Sequence, residues 1–257
     1  MTSFNLTGDV RRIVLLGASN LSLGWPQLMR AVFAHWNGPL QILTAHGMGR
    51  SYLASSHFGL RTAPGILGCG LWSEFTGGGQ LPPSAALITD LGNDLVYGRT
   101  PAEVVQAAAD ACGRLRDANS DCRIVVTRPP LESVKTLSRL RYYLFRTLVF
   151  PMCQHSLAEI VDATHDLDDR IQQLEGVTVV SQQREWFGAD PIHIRRCYRE
   201  LAFASFFASW PAESTDAAPA LMVPVKRPTM RICRVVGRKR ICQQPSVTTN
   251  LGSVSAW

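Results

Sequence analysis

Five short aliphatic runs, each continuous rather than alternating with polar residues, punctuate the first 182 positions: RIVLLGAS at 12–19, LQILTAHG at 40–47, SAALITDLG at 84–92, CRIVVTRP at 122–129 and VTVVSQ at 177–182. Runs of this length and β-branched content predict strands, and their uniform apolarity predicts that both faces are covered. Longer stretches of helical period lie between them. LGWPQLMRAVFAHW places Leu28, Val32 and Trp36 on one face before Asn37-Gly38, and PAEVVQAAADACGRLRDAN starts with Pro101 and aligns Val105, Ala108, Cys112 and Leu115. Strands alternating with such helices predict a parallel α/β sheet, a flavodoxin-like three-layer α/β/α domain of five strands in the order 2-1-3-4-5.

The remaining stretches are less regular. A short helix is expected around Ile66 to Phe75, with Gly77-Gly78-Gly79 as loop, and a long helical region from Val134 to Leu174 is interrupted at Pro151. Its first half, SRLRYYLFRTLVF, mixes arginines with large apolar residues. It is expected to pack on the core or to present a lid or lipid-facing surface above the carboxyl edge of the sheet. IHIRRCYRELAFASFFASW, from 192 to 210, reads as a closing helix. The catalytic domain is thus expected over 1–210, and 211–257 is expected to be a Pro- and Ala-rich linker and basic tail, disordered or forming a small hairpin at Gly237. Deleting that tail is expected to leave turnover nearly intact.

Composition narrows the classes. Of the 257 residues 46% are hydrophobic and 18% charged, as in an ordinary folded domain. The net charge of +6 sits largely in the tail, where seven Lys or Arg face two acids, so a nucleic-acid footprint on the domain itself is not expected. No apolar run near residue 20 has the length of a signal sequence, and no stretch suggests an integral membrane segment. Seven cysteines without a C-x-x-C pair (Cys69, Cys112, Cys122, Cys153, Cys197, Cys233 and Cys242) read as reduced thiols, which points to a cytoplasmic location. The six histidines make no zinc-ligand pair, and neither a P-loop nor a dinucleotide fingerprint follows the first strand, so no metal or cofactor is expected.

Three clusters carry candidate chemistry. Gly17-Ala18-Ser19-Asn20 lies where the first strand meets a helix, which would expose the Ser19 hydroxyl at the sheet's carboxyl edge or make Ser19 a simple helix cap. A serine becomes a nucleophile only beside a base that is itself held by a third group. Asp90-Leu91-Gly92-Asn93-Asp94 ends the third strand, where Asn93 would supply an amide donor to a developing oxyanion or form an ordinary turn. Asp190-Pro191-Ile192-His193 follows the fifth strand. At a helix start, its three-residue spacing would let Asp190 approach the His193 imidazole.

In this order the pieces resemble the SGNH hydrolase superfamily of GDSL-like esterases. The Ser block is GASNLSLG, the Gly block AHGMGRSY, the Asn block LGND and the His block DPIH, within about residues 12 to 210. The resemblance implies a serine esterase in which Ser19 attacks the acyl carbon, His193 is general base and Asp190 orients it. It also implies an oxyanion hole formed by the Ser19 amide, a glycine amide and Asn93. Gly49 is the preferred glycine, with Gly47 as the other choice. The substrate would be a small-molecule, lipid or sugar ester. The competing expectation is a catalytically degenerate SGNH fold, or a doubly wound protein binding acyl, sugar or phosphate groups without turnover.

Overall fold

The computed structural model describes residues 10–36, 39–58, 61–75, 81–151, 153–210, 231–236, 239–243, 246–249 and 252–257. The strands are β1 (Arg11–Leu16), β2 (Leu40–Ala45), β3 (Ser56–Phe58), β4 (Arg61–Ala63), β5 (Pro83–Ile88), β6 (Arg123–Thr127), β7 (Thr178–Val180), β8 (Arg231–Val236), β9 (Lys239–Gln243), β10 (Ser246–Thr249) and β11 (Gly252–Ala256). The α-helices are α1 (Ser19–Leu23), α2 (Trp25–His35), α3 (Asn93–Val96), α4 (Pro101–Ala118), α5 (Leu131–Lys135), α6 (Arg139–Val149), α7 (Leu157–Ile171) and α8 (Arg199–Phe207).

The main sheet runs β10-β11-β2-β1-β5-β6-β7. Its five sequence-predicted strands stand in the expected order, and β11 adds a sixth parallel strand beside β2, with β10 antiparallel at the edge. The expected count of five is therefore too low. Alternate residues of each strand point to opposite faces, as the strand period requires. Ile13, Leu15, Ile42 and Leu87 pack with α2 and α8 on one side; Val14, Leu16, Leu43 and Ile88 pack with α4 and α7 on the other. This double cover explains why the runs lack polar alternation.

The helices form where the sequence supplies both a stripe and a start signal. Thr100 and Glu103 make a reciprocal capping box at α4, followed by Pro101, and Ser156 with Glu159 does the same at α7. The buried stripe of α4 begins at Val104, not Val105, and continues through Ala107, Ala108, Ala111, Cys112 and Leu115. In α2, Leu28 and Val32 are buried, with Trp36 just beyond. The segment around Ile66 to Phe75 forms two 3₁₀ turns. The predicted stop at Asn37-Gly38 and the loop at Gly77-Gly78-Gly79 lie outside the described residues.

The closing helix is shorter than its pattern suggests. It starts at Arg199 rather than at 192, because the amides of Ile192, His193 and Ile194 bond to the side chains of Asp190 and Asn20. Arg231–Val236 and Lys239–Gln243 pair antiparallel, β8 with β9; the expected turn position, Gly237, lies outside the described residues. The tail also differs from expectation in returning to the domain. Val254 pairs with Ile42 and is buried, so 252–257 belong to the main sheet.

Parallel pairing in register brings Leu16, Ala45 and Ile88 to a common level at the carboxyl edge. The chain leaves β1 toward β2 on one side, while β5 lies on the other. The crevice between β1 and β5 is thus the topological switch point at which ligands of open α/β sheets bind.

Candidate active site

The Ser block occupies the end of β1. Gly17 permits its approach to β5: a Cβ there would lie 2.6 Å from the Thr89 methyl and 2.8 Å from Leu21. Ser19 is the first residue of α1 and does not cap it; Ala18 stands at the cap position without a side-chain bond. The cap comes from across the crevice. Asp90 accepts hydrogen bonds from the amides of Ala18 (2.8 Å) and Asn20 (3.1 Å), the groups on either side of Ser19.

Asn20 carries this link to the third cluster. Its side-chain amide donates to Asp90 at 2.7 Å and to the Ile192 carbonyl at 2.9 Å, and its side-chain oxygen accepts the Ile194 amide at 2.9 Å. One buried side chain thereby fixes the His block against both β1 and β5. Asp90 itself adopts φ of 62°, a left-handed conformation that Asp tolerates better than most residues. Burial pushes its carboxyl up, and the bonds from Asn20 and Ala18 and the His193 charge only partly oppose this, so it stays above the ordinary carboxylate value.

The Ser19 hydroxyl oxygen is 2.7 Å from His193 Nε2, and the opposite ring nitrogen, Nδ1, pairs with Asp190 Oδ2. Asp190 Oδ1 accepts the amides of Ile192 and His193, both at 3.1 Å. The approach of Asp190 to His193 is therefore made by an Asp-centred turn and not by the start of a helix. Burial raises the Asp190 carboxyl, but its bond to His193, the His193 charge and the two amides outweigh this and hold it below the usual value. Phe145 of α6 lies beside the imidazole, its ring tilted by 50° and the ring centroids 6.4 Å apart.

The Gly and Asn blocks are fastened to each other. Asp94, fully buried, accepts the Ser51 hydroxyl and the amides of Tyr52 (2.8 Å) and Leu53 (3.2 Å). The Tyr52 hydroxyl reaches the main-chain oxygens of Leu16 (3.0 Å) and Thr89 (2.8 Å), tying the same loop to β1 and β5. Asn93 opens α3, is buried, and donates to the Arg50 carbonyl at 3.4 Å. Gly49 has φ of +60°, a conformation that favours glycine, and its carbonyl accepts the Tyr97 hydroxyl. Gly47 accepts the Arg50 amide at 3.3 Å in the same turn.

Arg50 is buried behind this turn. Its guanidinium bonds to the carbonyls of Pro64 and His46 and to the main-chain oxygen of Trp257, whose own amide donates to Thr44 at 3.0 Å. The structure thus brings Ser19, His193 and Asp190 into one hydrogen-bonded line and places the Gly49 and Asn93 segments in mutual contact. Sequence reasoning missed Asn20, Asp90, Asp94 and Arg50. The signal for two of them was present in the density of carboxylates around Asn93, since a buried Asp at a strand end needs several donors.

Among the described residues no group of three or more His, Cys, Asp or Glu is placed to hold a metal ion, and no helix is long and apolar enough to cross a membrane. Cys69, Cys112, Cys122, Cys153 and Cys197 are free thiols. Burial pushes Cys112 up to about 11 and Cys122 up to about 12.

No family model and no curated protein matches the chain. Among solved structures it is similar to a Streptococcus pneumonia protein whose description names platelet activating factor, with TM-score 0.47 and 12% identity over 80% of this chain and 86% of that one. It is also similar to the periplasmic domain of a lipopolysaccharide acetyltransferase from Salmonella ser. Paratyphi A (TM-score 0.45, 12% identity, 78% and 82% covered). A third similar structure is a carbohydrate esterase family 3 protein from Talaromyces cellulolyticus (TM-score 0.41, 12% identity, 77% and 94% covered).

Proposed function

We propose that this protein is a serine esterase of the SGNH (GDSL-like) type, which hydrolyses carboxylic esters through an acyl-enzyme. The observation that carries the reading is the line from the Ser19 oxygen through the His193 ring to Asp190 at the switch point of the sheet. A hydroxyl, an imidazole and a carboxylate in this sequence are the parts that nucleophilic acyl transfer needs.

In this reading the Ser19 oxygen attacks the acyl carbon while its proton passes to His193 Nε2. The carbonyl electrons move onto oxygen, then re-form the double bond as the ester bond to the alcohol breaks, and His193 returns the proton to the departing alkoxide. Water, deprotonated by His193, attacks the acyl-enzyme in the second half; the acyl bond to the Ser19 oxygen then breaks, His193 returns the proton to that oxygen, and the carboxylic acid leaves. Asp190 keeps Nε2 facing Ser19 and stabilises the imidazolium.

Three donors would receive the oxyanion. Asp90 takes the amides before and after Ser19, which leaves the Ser19 amide as the one in that segment to face a ligand. The Gly49 amide is the second. Asn93 is the third, because a carboxamide has two N–H groups and only one is directed to Arg50. The substrate class is a small-molecule, sugar or lipid ester, and no metal or cofactor enters any step.

The test is turnover of p-nitrophenyl esters by wild type and Ser19→Ala, with fluorophosphonate labelling of both. The expected result is a loss of at least about a thousandfold in the variant and stoichiometric labelling of wild type alone. Equal turnover would remove Ser19 from the mechanism. A wild type that neither labels nor turns over ester would leave a binding protein on the same fold.

A further inference from the structure

The helix α6 is unusual in what it shows to solvent. Leu140, Tyr143, Leu144 and Leu148 are 70%, 50%, 56% and 81% exposed, half of the large hydrophobic residues so exposed among the described positions. Their spacing of three, four and eight residues from Leu140 places them on one face. Burial of core does not explain that face. The opposite side of α6 already supplies Tyr142 and Phe145 to an apolar cleft walled also by Val96, Val134, Phe150 and Ile192, which reaches the His block.

The charges on this helix have one sign. The helix carries Arg139, Arg141 and Arg146 and no acid. Arg141 donates to the main-chain oxygens of Gly188 and Ala189, joining α6 to the segment just before Asp190. Arg195, exposed, lies 3.2 Å from the position of a Cβ on Gly188, so it shares the same rim, with exposed Arg196 next in sequence. Arg146 stacks on Tyr143 at 5.3 Å and bonds to the His155 carbonyl at 3.2 Å.

We propose that α6 seats the protein on an anionic lipid surface, with Leu140, Leu144 and Leu148 among the acyl chains and the arginines at the headgroups. An apolar face flanked by cations matches a surface that is apolar below and anionic above. A second copy of the chain is the poorer occupant, since a two-fold contact through this face would set its arginines against themselves. The seat would put the cleft under α6 next to the bilayer, so that a lipid ester reaches Ser19 with its acyl chain along Val96, Val134 and Phe150. That last step rests on the esterase reading; the seat does not.

The experiment is co-sedimentation of the full chain with vesicles of phosphatidylcholine, with or without phosphatidylglycerol, for wild type and for the double variant Leu144→Glu/Leu148→Glu. Melting temperature and turnover of a water-soluble short-chain ester are measured on both. The expected result is at least about tenfold more wild type bound to the anionic vesicles, weakened by salt, and loss of that binding in the variant at unchanged melting temperature. Soluble-ester turnover should be the same in both proteins; its absence in both would count against the esterase reading and leave the seat standing. Binding that the double variant retains would overturn the seat and assign adsorption to the basic tail. Absence of binding by wild type, or a concentration-dependent dimer that the variant abolishes, would also overturn it.

Discussion

Asp90 and Asn20, seventy residues apart in sequence, hold each other through two hydrogen bonds, main chain and side chain of Asn20 to the two oxygens of one carboxylate. Through this pair the start of α1, the end of β5 and the loop before α8 become one unit. The position of Ser19 relative to His193 is therefore set by residues other than either.

Replacing Asp90 with Ala is expected to cost about 2–4 kcal/mol of stability, because it strands three donors: the amides of Ala18 and Asn20 and the Asn20 side chain. Asp90→Asn should cost less, since Asn tolerates φ of 62° and keeps one acceptor oxygen. Urea unfolding of both variants checks the order. A smaller loss for Ala than for Asn would show that the carboxyl oxygen is not what holds the segment.

The strand order was legible because β1, β2, β5, β6 and β7 are continuous aliphatic runs separated by helices of clear period. β11 was not. GSVSA has one large apolar residue, and its partner β2 lies about two hundred positions earlier, so neither local pattern nor proximity announces the pairing. Ser19 and Asn93 stood out because each closely follows a strand end with reactive chemistry, and Asp190 and His193 because a carboxylate and an imidazole stand three residues apart. Asn20 and Asp90 act by binding distant backbone, and a sequence carries little trace of such contacts. The over-long closing helix has the same origin: Ile194 and Tyr198 have helical spacing, but their region's amides are taken by side chains and by the Trp186 carbonyl.

Asp190 gives a pH signature. Its carboxyl is held below the ordinary value of 3.8, so between that value and its folded one the unfolded chain binds more protons than the native protein. Its contribution to stability is thus present above pH 3.8 and lost as pH falls through the folded value. Urea midpoints measured from pH 6 down to about 3 should fall more steeply for wild type than for Asp190→Asn, which lacks this titration. Parallel curves would show that the His193 pairing does not bias the carboxyl.

Asn93→Ala tests the oxyanion role separately from the nucleophile. A donor that acts mainly on the transition state should, when removed, lower kcat by about 10² to 10³ and leave KM nearly unchanged. Among the described residues the side-chain bond lost is the 3.4 Å contact to Arg50, so melting should shift little. A rise in KM at constant kcat would instead make Asn93 a substrate-binding group.

The last strand predicts a result opposite to that expected from composition. Removing residues 252–257 takes away buried Val254, the Trp257 amide bond to Thr44 and the main-chain oxygen that Arg50 uses, while β2 loses its neighbour on that side. Burial of one valine alone is worth about 1.5–3 kcal/mol. The larger consequence is at Arg50, whose guanidinium, already held below its usual value by burial, would lose one of its few acceptors directly behind the Gly49 turn. Truncation after residue 251 should therefore lower both the melting temperature and kcat, with ester turnover reduced even well below the new melting point. Full turnover in the truncated chain at such a temperature would show that the Gly49 turn keeps its shape without Trp257.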